Sequence, residues 1–234
     1  MMKSFSFVEK RSVDARDVSA SEDHTSLKTE LKPQSKPQSK PQYNEKKPLM
    51  ILGPSGVGKD TMIDMLKNKY KDVFFKLPSY TTRAKRPKEE QGVDYFFVSK
   101  EEFKKMESQG ELFGIQVYNN NFYASDKRKL RDLINKRDKI IILNYNIETA
   151  NRIKNEFDFN FVAILPPSEG ELRKRLINRG TKPEEIENRM NNSLRERNLI
   201  YEANFIDFRV VNDDVNKCLS KLEKCFKELY PEIF

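Results

Sequence analysis

Leu49-Met50-Ile51-Leu52-Gly53-Pro54-Ser55-Gly56-Val57-Gly58-Lys59-Asp60-Thr61 decides the fold. Four apolar residues fit a buried strand, and the glycine-rich heptad after them runs into a helix predicted near residues 60–70. Strand, glycine-rich turn and helix in that order form a phosphate-binding loop. Gly53, Gly56 and Gly58 let backbone N–H groups turn inward around an anion, the helix N-terminus adds partial positive charge, and Lys59 reaches the outer phosphates. Such a loop usually ends in Ser or Thr, whose hydroxyl binds Mg²⁺; here Asp60 stands in that place and the hydroxyl follows one residue later, on Thr61. A carboxylate is itself a hard oxygen donor, so Asp60 and Thr61 are the candidate metal ligands.

Outward from the loop, short apolar runs alternate with amphipathic stretches. The runs Leu49–Leu52, Ile140–Leu143, Phe161–Leu165 and Phe208–Val211 suit strands buried on both faces. Helices are predicted near 60–70, 126–137, 146–156, 168–178, 183–200 and 213–229, which gives a parallel sheet covered by helices. Residues 78–125 break the rhythm, with Tyr95-Phe96-Phe97-Val98 and Phe122-Tyr123, and predict an insertion with its own strands. Residues 1–47 lack a sustained apolar period and carry a Lys-Pro-Gln-Ser repeat over 32–42 in which proline blocks helix, so they predict a disordered extension. On the last predicted helix, Cys218, Leu222, Cys225, Phe226 and Leu229 mark a core-facing stripe.

Composition narrows the chemistry. The 234 residues suit one α/β domain with a tail. The longest apolar run is too short to span a bilayer, and Glu9, Asp14, Asp17, Glu22 and Asp23 interrupt the basic residues of the N-terminal region, so the expected location is cytoplasmic. His24 is the single histidine and only two cysteines are present, which argues against a Cys/His metal cluster or a histidine-dependent triad. The net charge of +8 comes from 44 basic against 36 acidic residues spread through the chain, which argues against a dedicated nucleic-acid surface. Phosphate-binding backbone, lysines, arginines and carboxylates are left to carry the chemistry.

Thr81-Thr82-Arg83-Ala84-Lys85-Arg86 and Gly92-Val93-Asp94-Tyr95-Phe96-Phe97-Val98-Ser99 place two arginines and a tyrosine around a loop, the groups that clasp a phosphate monoester. With the phosphate loop, and with Pro166-Pro167-Ser168, Arg175 through Thr181, Arg189 and Val211-Asn212-Asp213, this stretch resembles the guanylate kinase family over most of residues 48–230. The resemblance implies a P-loop NTPase fold, a three-layer parallel sheet, with core 48–77 and 126–234, an acceptor-binding insertion at about 78–125 and a helical lid at about 175–192. It implies Mg²⁺-dependent transfer of the γ-phosphoryl group of ATP to GMP or dGMP. ATP would be held by residues 53–61, namely Gly53, Pro54, Ser55, Gly56, Val57, Gly58, Lys59, Asp60 and Thr61, with Asn212 near the adenine. Arg83, Arg86, Tyr95 and Tyr123 would hold the acceptor phosphate, Ser79 and Ser125 would meet the base, and Asn144 and Asn146 would line the acceptor region. Lys59 with the lid arginines Arg175, Arg179 and Arg189 would act on the transferring phosphates.

Two departures stand out. The glutamate that the family uses to read guanine falls on Gly114, with Glu111 nearby in sequence, and the family's two alternate aspartates are Asn144 and Asn146. Asp60 adds a carboxylate where those two are lost, which suggests a relocated metal ligand. Two alternatives stay open: a catalytically silent module that binds a partner protein, and a kinase for another phosphate ester, since a Gly-Lys-Asp ending also resembles ribose 1,5-bisphosphate phosphokinases.

Overall fold

A computed structural model describes residues 46–118 and 120–234. The extension, with its repeat and His24, lies outside them except for its last two residues. One of those, Lys47, accepts a hydrogen bond from the Tyr230 hydroxyl at 3.0 Å, so the packed region starts slightly earlier than the composition suggests.

In chain order the elements are β1 (Leu49–Leu52), α1 (Lys59–Lys69), β2 (Phe74–Lys76), β3 (Ser79–Thr81), β4 (Tyr95–Phe97), α2 (Lys100–Ser108), β5 (Leu112–Tyr118) and β6 (Asn121–Asp126). They continue with α3 (Lys127–Lys136), β7 (Ile140–Asn144), α4 (Ile147–Ile153), β8 (Asn160–Leu165), α5 (Glu169–Asn178), α6 (Pro183–Glu202), β9 (Phe208–Val211) and α7 (Val215–Leu229). Five strands form a parallel sheet in the order β2-β7-β1-β8-β9. All four apolar runs picked from the sequence are strands of this sheet. The short edge strand β2 escaped notice because three residues carry too little period to register.

Alternation along a strand explains why the runs are apolar on both faces, with Arg209 of β9 the exception, its guanidinium donating to the Ile200 and Ala203 carbonyls. Leu49 and Ile51 point into a cluster with Met62, Ile63 and Leu66 of α1 and Cys218, Leu222 and Phe226 of α7, whereas Met50 and Leu52 point to the other face, with Leu130 of α3 and Ile147, Ala150 and Ile153 of α4. Helices therefore cover both faces, and a polar residue at any of these positions would sit in a core. Burial of each such side chain contributes about 1.5–3 kcal/mol.

The other four strands form a separate sheet, ordered β4-β3-β6-β5, with α2 docked through the fully buried Phe103. Its β5–β6 pair is antiparallel, but the register shifts between Phe113 and Gln116: Phe113 faces Ser125, whereas Gln116 faces Tyr123. One extra residue on β5 thus turns Gln116 to the same side as Tyr123. In α5 and α6, Leu172, Leu176, Ile186 and Met190 make a small cluster of their own. Side chains cap most helix starts: Ser99 and Glu102 form a capping box on α2, and Asp126, Asn146, Ser168 and Asp214 cap α3, α4, α5 and α7. The start of α1, at Gly58, has no such side-chain cap, which leaves its first N–H groups to an external anion.

Candidate active site

The start of α1 opens into a cleft of about 720 Å³ between the parallel sheet, the second sheet and the two helices α5 and α6. On its floor is the phosphate loop. Gly53 has φ +137°, and a Cβ there would lie 2.1 Å from the Ile164 carbonyl oxygen, so only glycine lets the chain leave β1 in this direction. Val57 is fully buried and anchors the loop to the core instead of facing a ligand. Pro54 contributes its carbonyl: Lys59 donates from Nζ to it at 3.0 Å, and also to the carbonyl of Gly53. Burial pushes the Lys59 ammonium below its usual range, and Glu196 and Asp60 work in the opposite direction.

Asp60 lies in the cleft beside the loop, with Oδ1 3.3 Å from Lys76 Nζ and 3.4 Å from Asn144 Nδ2. The residue that gained a carboxylate and one of those that lost it are therefore neighbours in space. Desolvation by the cleft walls opposes ionisation of Asp60, but the positive charges of Lys76 and Lys59 prevail and hold its carboxyl below the usual carboxylate range. Thr61 lines the same wall.

Across the cleft lie Ser79, Arg83, Arg86, Tyr95 and Tyr123, all on or next to the second sheet. The rings of Tyr95 and Tyr123 meet edge to face at 6.1 Å. Arg83 stacks on Tyr95, 5.3 Å from the ring centre, while its fork closes bidentately on Glu89 at 2.9 and 2.8 Å. Glu89 holds the guanidinium in the planar, two-pronged geometry that a phosphate would use.

The third wall is helical. Arg175 reaches the Asn212 carbonyl at 3.0 Å, and Arg189 links Ser55 Oγ at 3.3 Å to the Tyr118 hydroxyl at 3.0 Å, so it spans from the phosphate loop to β5. Arg179, at the end of α5, donates its backbone N–H to the Arg175 carbonyl, but its guanidinium has no hydrogen-bond or ion-pair partner among the described residues. Desolvation by the cleft lowers its pKa, and the neighbouring charges of Arg86 and Arg189 lower it further. Asp60 offsets part of that repulsion, and an anion bound beside Arg179 would offset more.

Three sequence expectations need correction. Ser125 does not face the cleft: it is fully buried, hydrogen-bonded at 2.7 Å to the Tyr145 hydroxyl, and so is not available to a base. Asn212 is also buried, and its Nδ2 donates to the Val57 carbonyl at 2.7 Å, so it braces the loop instead of meeting an adenine. Glu111 sits exposed ahead of β5, outside the cleft, and no local shift brings it to the place of Gly114. Asn144 and Asn146 do line the cleft, and Asn146 also caps α4 through its Oδ1.

Several cleft residues carried no sequence signal that set them apart: Lys76, Gln116, Tyr118, Asn121 and Glu196. Glu196 is the most unusual. Its Oε1 is buried without a hydrogen-bond partner among the described residues, and burial raises its carboxyl pKa against the pull of Lys59. Tyr118 was legible in principle, because it precedes a turn, where ligand-facing residues gather, whereas Lys76 ends a strand too short to register.

A model of the guanylate kinase family matches residues 45–229. The guanylate kinase of Oceanobacillus iheyensis is 36% identical over 186 residues, covering 78% of this chain and 88% of that protein. That of Prochlorococcus marinus subsp. pastoris is 36% identical over 186 residues, covering 79% and 98%. Among solved structures, the guanylate kinase of Anaplasma phagocytophilum superposes with a TM-score of 0.61 at 26% identity, over 79% of this chain and 86% of that one.

Proposed function

The chain belongs to the guanylate kinase family, and from that membership and the geometry of the cleft we propose that it transfers the γ-phosphoryl group of ATP to a nucleoside monophosphate, GMP or dGMP first among them. The observation that most supports this reading is the opposition, across one cleft, of a phosphate-binding loop and an arginine–tyrosine clasp. Transfer between two phosphates needs two such holders, one for donor and one for acceptor.

In this mechanism the N–H groups of the loop and of the uncapped start of α1 hold the donor's β- and γ-phosphates. Lys59 exchanges its carbonyl partners for phosphate oxygens. Arg83, Arg86, Tyr95 and Tyr123 hold the acceptor phosphate in line with the donor, and Arg83 is shared between the phosphate and Glu89. Arg175, Arg179 and Arg189 neutralise charge that builds on the transferring oxygens, and α5 and α6 close the cleft to water. Asp60, Thr61 and the Asn144 side-chain carbonyl oxygen offer hard oxygen donors suited to Mg²⁺, though among the described residues no group of three or more acidic, histidine or cysteine side chains forms a metal cage. Mg²⁺ held there with the nucleotide would offset phosphate charge.

Asp60→Asn keeps the shape of the side chain and removes its charge. The concentration of Mg²⁺ for half-maximal activity is expected to rise about tenfold or more, with a smaller loss at saturating metal. An unchanged Mg²⁺ requirement would reduce Asp60 to a structural partner of Lys76. The reaction itself is tested by coupled ADP release from Mg-ATP with a panel of nucleoside monophosphates. Stimulation by GMP and dGMP is expected, and no stimulation by any of them would overturn the reading.

A silent binding module is disfavoured by Arg179, which a scaffold would have no reason to hold beside two other cations. No described helix is long and apolar enough to cross a membrane, and the cytoplasm is the proposed site of the reaction.

A further inference from the structure

Gly114 adopts φ +65°, and a Cβ placed on it would lie 2.5 Å from Cζ and 2.7 Å from the hydroxyl oxygen of Tyr145. Nothing larger than glycine fits, because a buried phenol already fills the space. The Tyr145 hydroxyl is held at 2.7 Å by Ser125 and at 3.1 Å by the Phe113 carbonyl, so the ring is fixed from both sides. Whatever reads the acceptor base in this chain, it is not a side chain at 114 or the hydroxyl of Ser125.

The shifted register of β5 supplies a replacement. Gln116, opposite Tyr123, lines the cleft beside Asn146. Gln116 Oε1 accepts the Asn146 backbone N–H at 3.1 Å, and Asn146 Oδ1 accepts the Thr149 N–H at 2.8 Å. With both carbonyl oxygens turned to backbone donors, the NH₂ group of each amide is the end free to turn to a ligand. The acidic side chains that do line the cleft are engaged elsewhere: Asp60 with Lys76, Asp94 with the Glu90 N–H, Glu185 with Arg189, and Glu196 against Lys59.

We propose that Gln116 and Asn146 read the acceptor base by donating hydrogen bonds, so that the site takes 6-oxopurine nucleoside monophosphates as a class and leaves the 2-amino group unread. This rests on the nucleoside monophosphate kinase reading of the same cleft. A 6-oxo group accepts from these amides, and GMP and IMP share it. The 6-amino group of AMP is a donor set against donors, which leaves buried polar groups unpaired. The 2-amino hydrogens of guanine need an acceptor, and the carbonyl oxygens of Gln116 and Asn146 are already drawn to the Asn146 and Thr149 backbone N–H groups, which leaves the NH₂ groups the better placed to meet a base. A site that does not bond a substrate group discriminates weakly for or against it, whereas one that does rejects its absence strongly.

The test compares kcat/KM for GMP, IMP and AMP in the full chain and in Gln116→Glu, by ADP release from Mg-ATP. The wild-type ratio of GMP to IMP is expected to stay within about tenfold, with AMP at least about a hundredfold below GMP. The carboxylate introduced by Gln116→Glu can still accept the Asn146 N–H with one oxygen and receive the purine N1–H and 2-amino hydrogens with the other. The substitution should therefore raise the GMP-to-IMP ratio about tenfold or more. A wild-type preference for GMP over IMP above about a hundredfold would overturn the inference and leave the kinase standing. So would an unchanged ratio in a folded Gln116→Glu protein. ADP release that no acceptor in the panel stimulates would overturn both. If Gln116→Glu does not fold, the wild-type ratio alone decides, with Asn146→Asp as a second variant expected to move it the same way.

Discussion

Replacing Arg179 by alanine is expected to lower kcat about 10³-fold while ATP and GMP affinities change by less than about tenfold. No hydrogen bond or ion pair of the guanidinium is found among the described residues, and in the cleft the attraction of Asp60 is set against the repulsion of Arg86 and Arg189, so the unliganded protein gains little from it. Its favourable interaction comes with charge on the phosphates and is greatest where that charge shifts most, during transfer. The same reasoning gives a sign for stability. Removal of a cation that Arg86 and Arg189 repel should leave the melting temperature of the free protein unchanged or slightly raised, so low turnover would not reflect unfolding. Arg179→Lys keeps the charge but not the planar fork and should recover only part of the loss. Stopped-assay kinetics with a parallel thermal melt decide the matter: a kcat within about tenfold of wild type would remove Arg179 from the catalytic set.

Gly114→Ala is expected to destabilise the fold by about 2–5 kcal/mol, combining about 1–2 for a left-handed non-glycine residue with about 1–3 for overpacking. Its Cβ would meet a phenol ring that Ser125 and Phe113 hold in place, in a region where Phe113 also contacts Phe157 and Phe159. Neither backbone nor ring can yield cheaply. Urea titration should show a lower midpoint, and the melting temperature should fall by about 5–15 °C. In a Tyr145→Ile background, the ring is gone and only the left-handed cost remains, so the same glycine substitution should cost less by about 1–3 kcal/mol. Stability within about 0.5 kcal/mol of wild type in the single variant would show that the site relaxes freely.

The phosphate loop and its sheet were legible because both depend on local pattern. Leu49–Leu52 and, apart from Arg209, Phe208–Val211 are apolar strands whose two faces are covered or nearly so, and the glycines of the loop follow the first of them at a recognisable spacing. The acceptor side was less legible, because its chemistry depends on register. Gln116 reaches the cleft through one extra residue in β5, which no periodicity reveals. Ser125 had the right residue type in the right place along the chain, yet Tyr145, distant in sequence, removes it from use. Glu196 and Lys76 gain their roles from residues far away along the chain, Lys59 and Asp60. The exchange of carboxylate between Asp60 and Asn144 could be suspected from sequence as a trade, and their contact gives it a physical basis.

Gly114 and Tyr145 also constrain the order in which this protein could change what it recognises. An acidic side chain at 114 has no room while the phenol is in place. Loss of the phenol first opens a void against Phe113 and leaves the Ser125 hydroxyl buried without its partner. Either single step passes through a less stable protein, so a population of descendants is expected to keep both residues or exchange both, and drift at one position is held in check by the other.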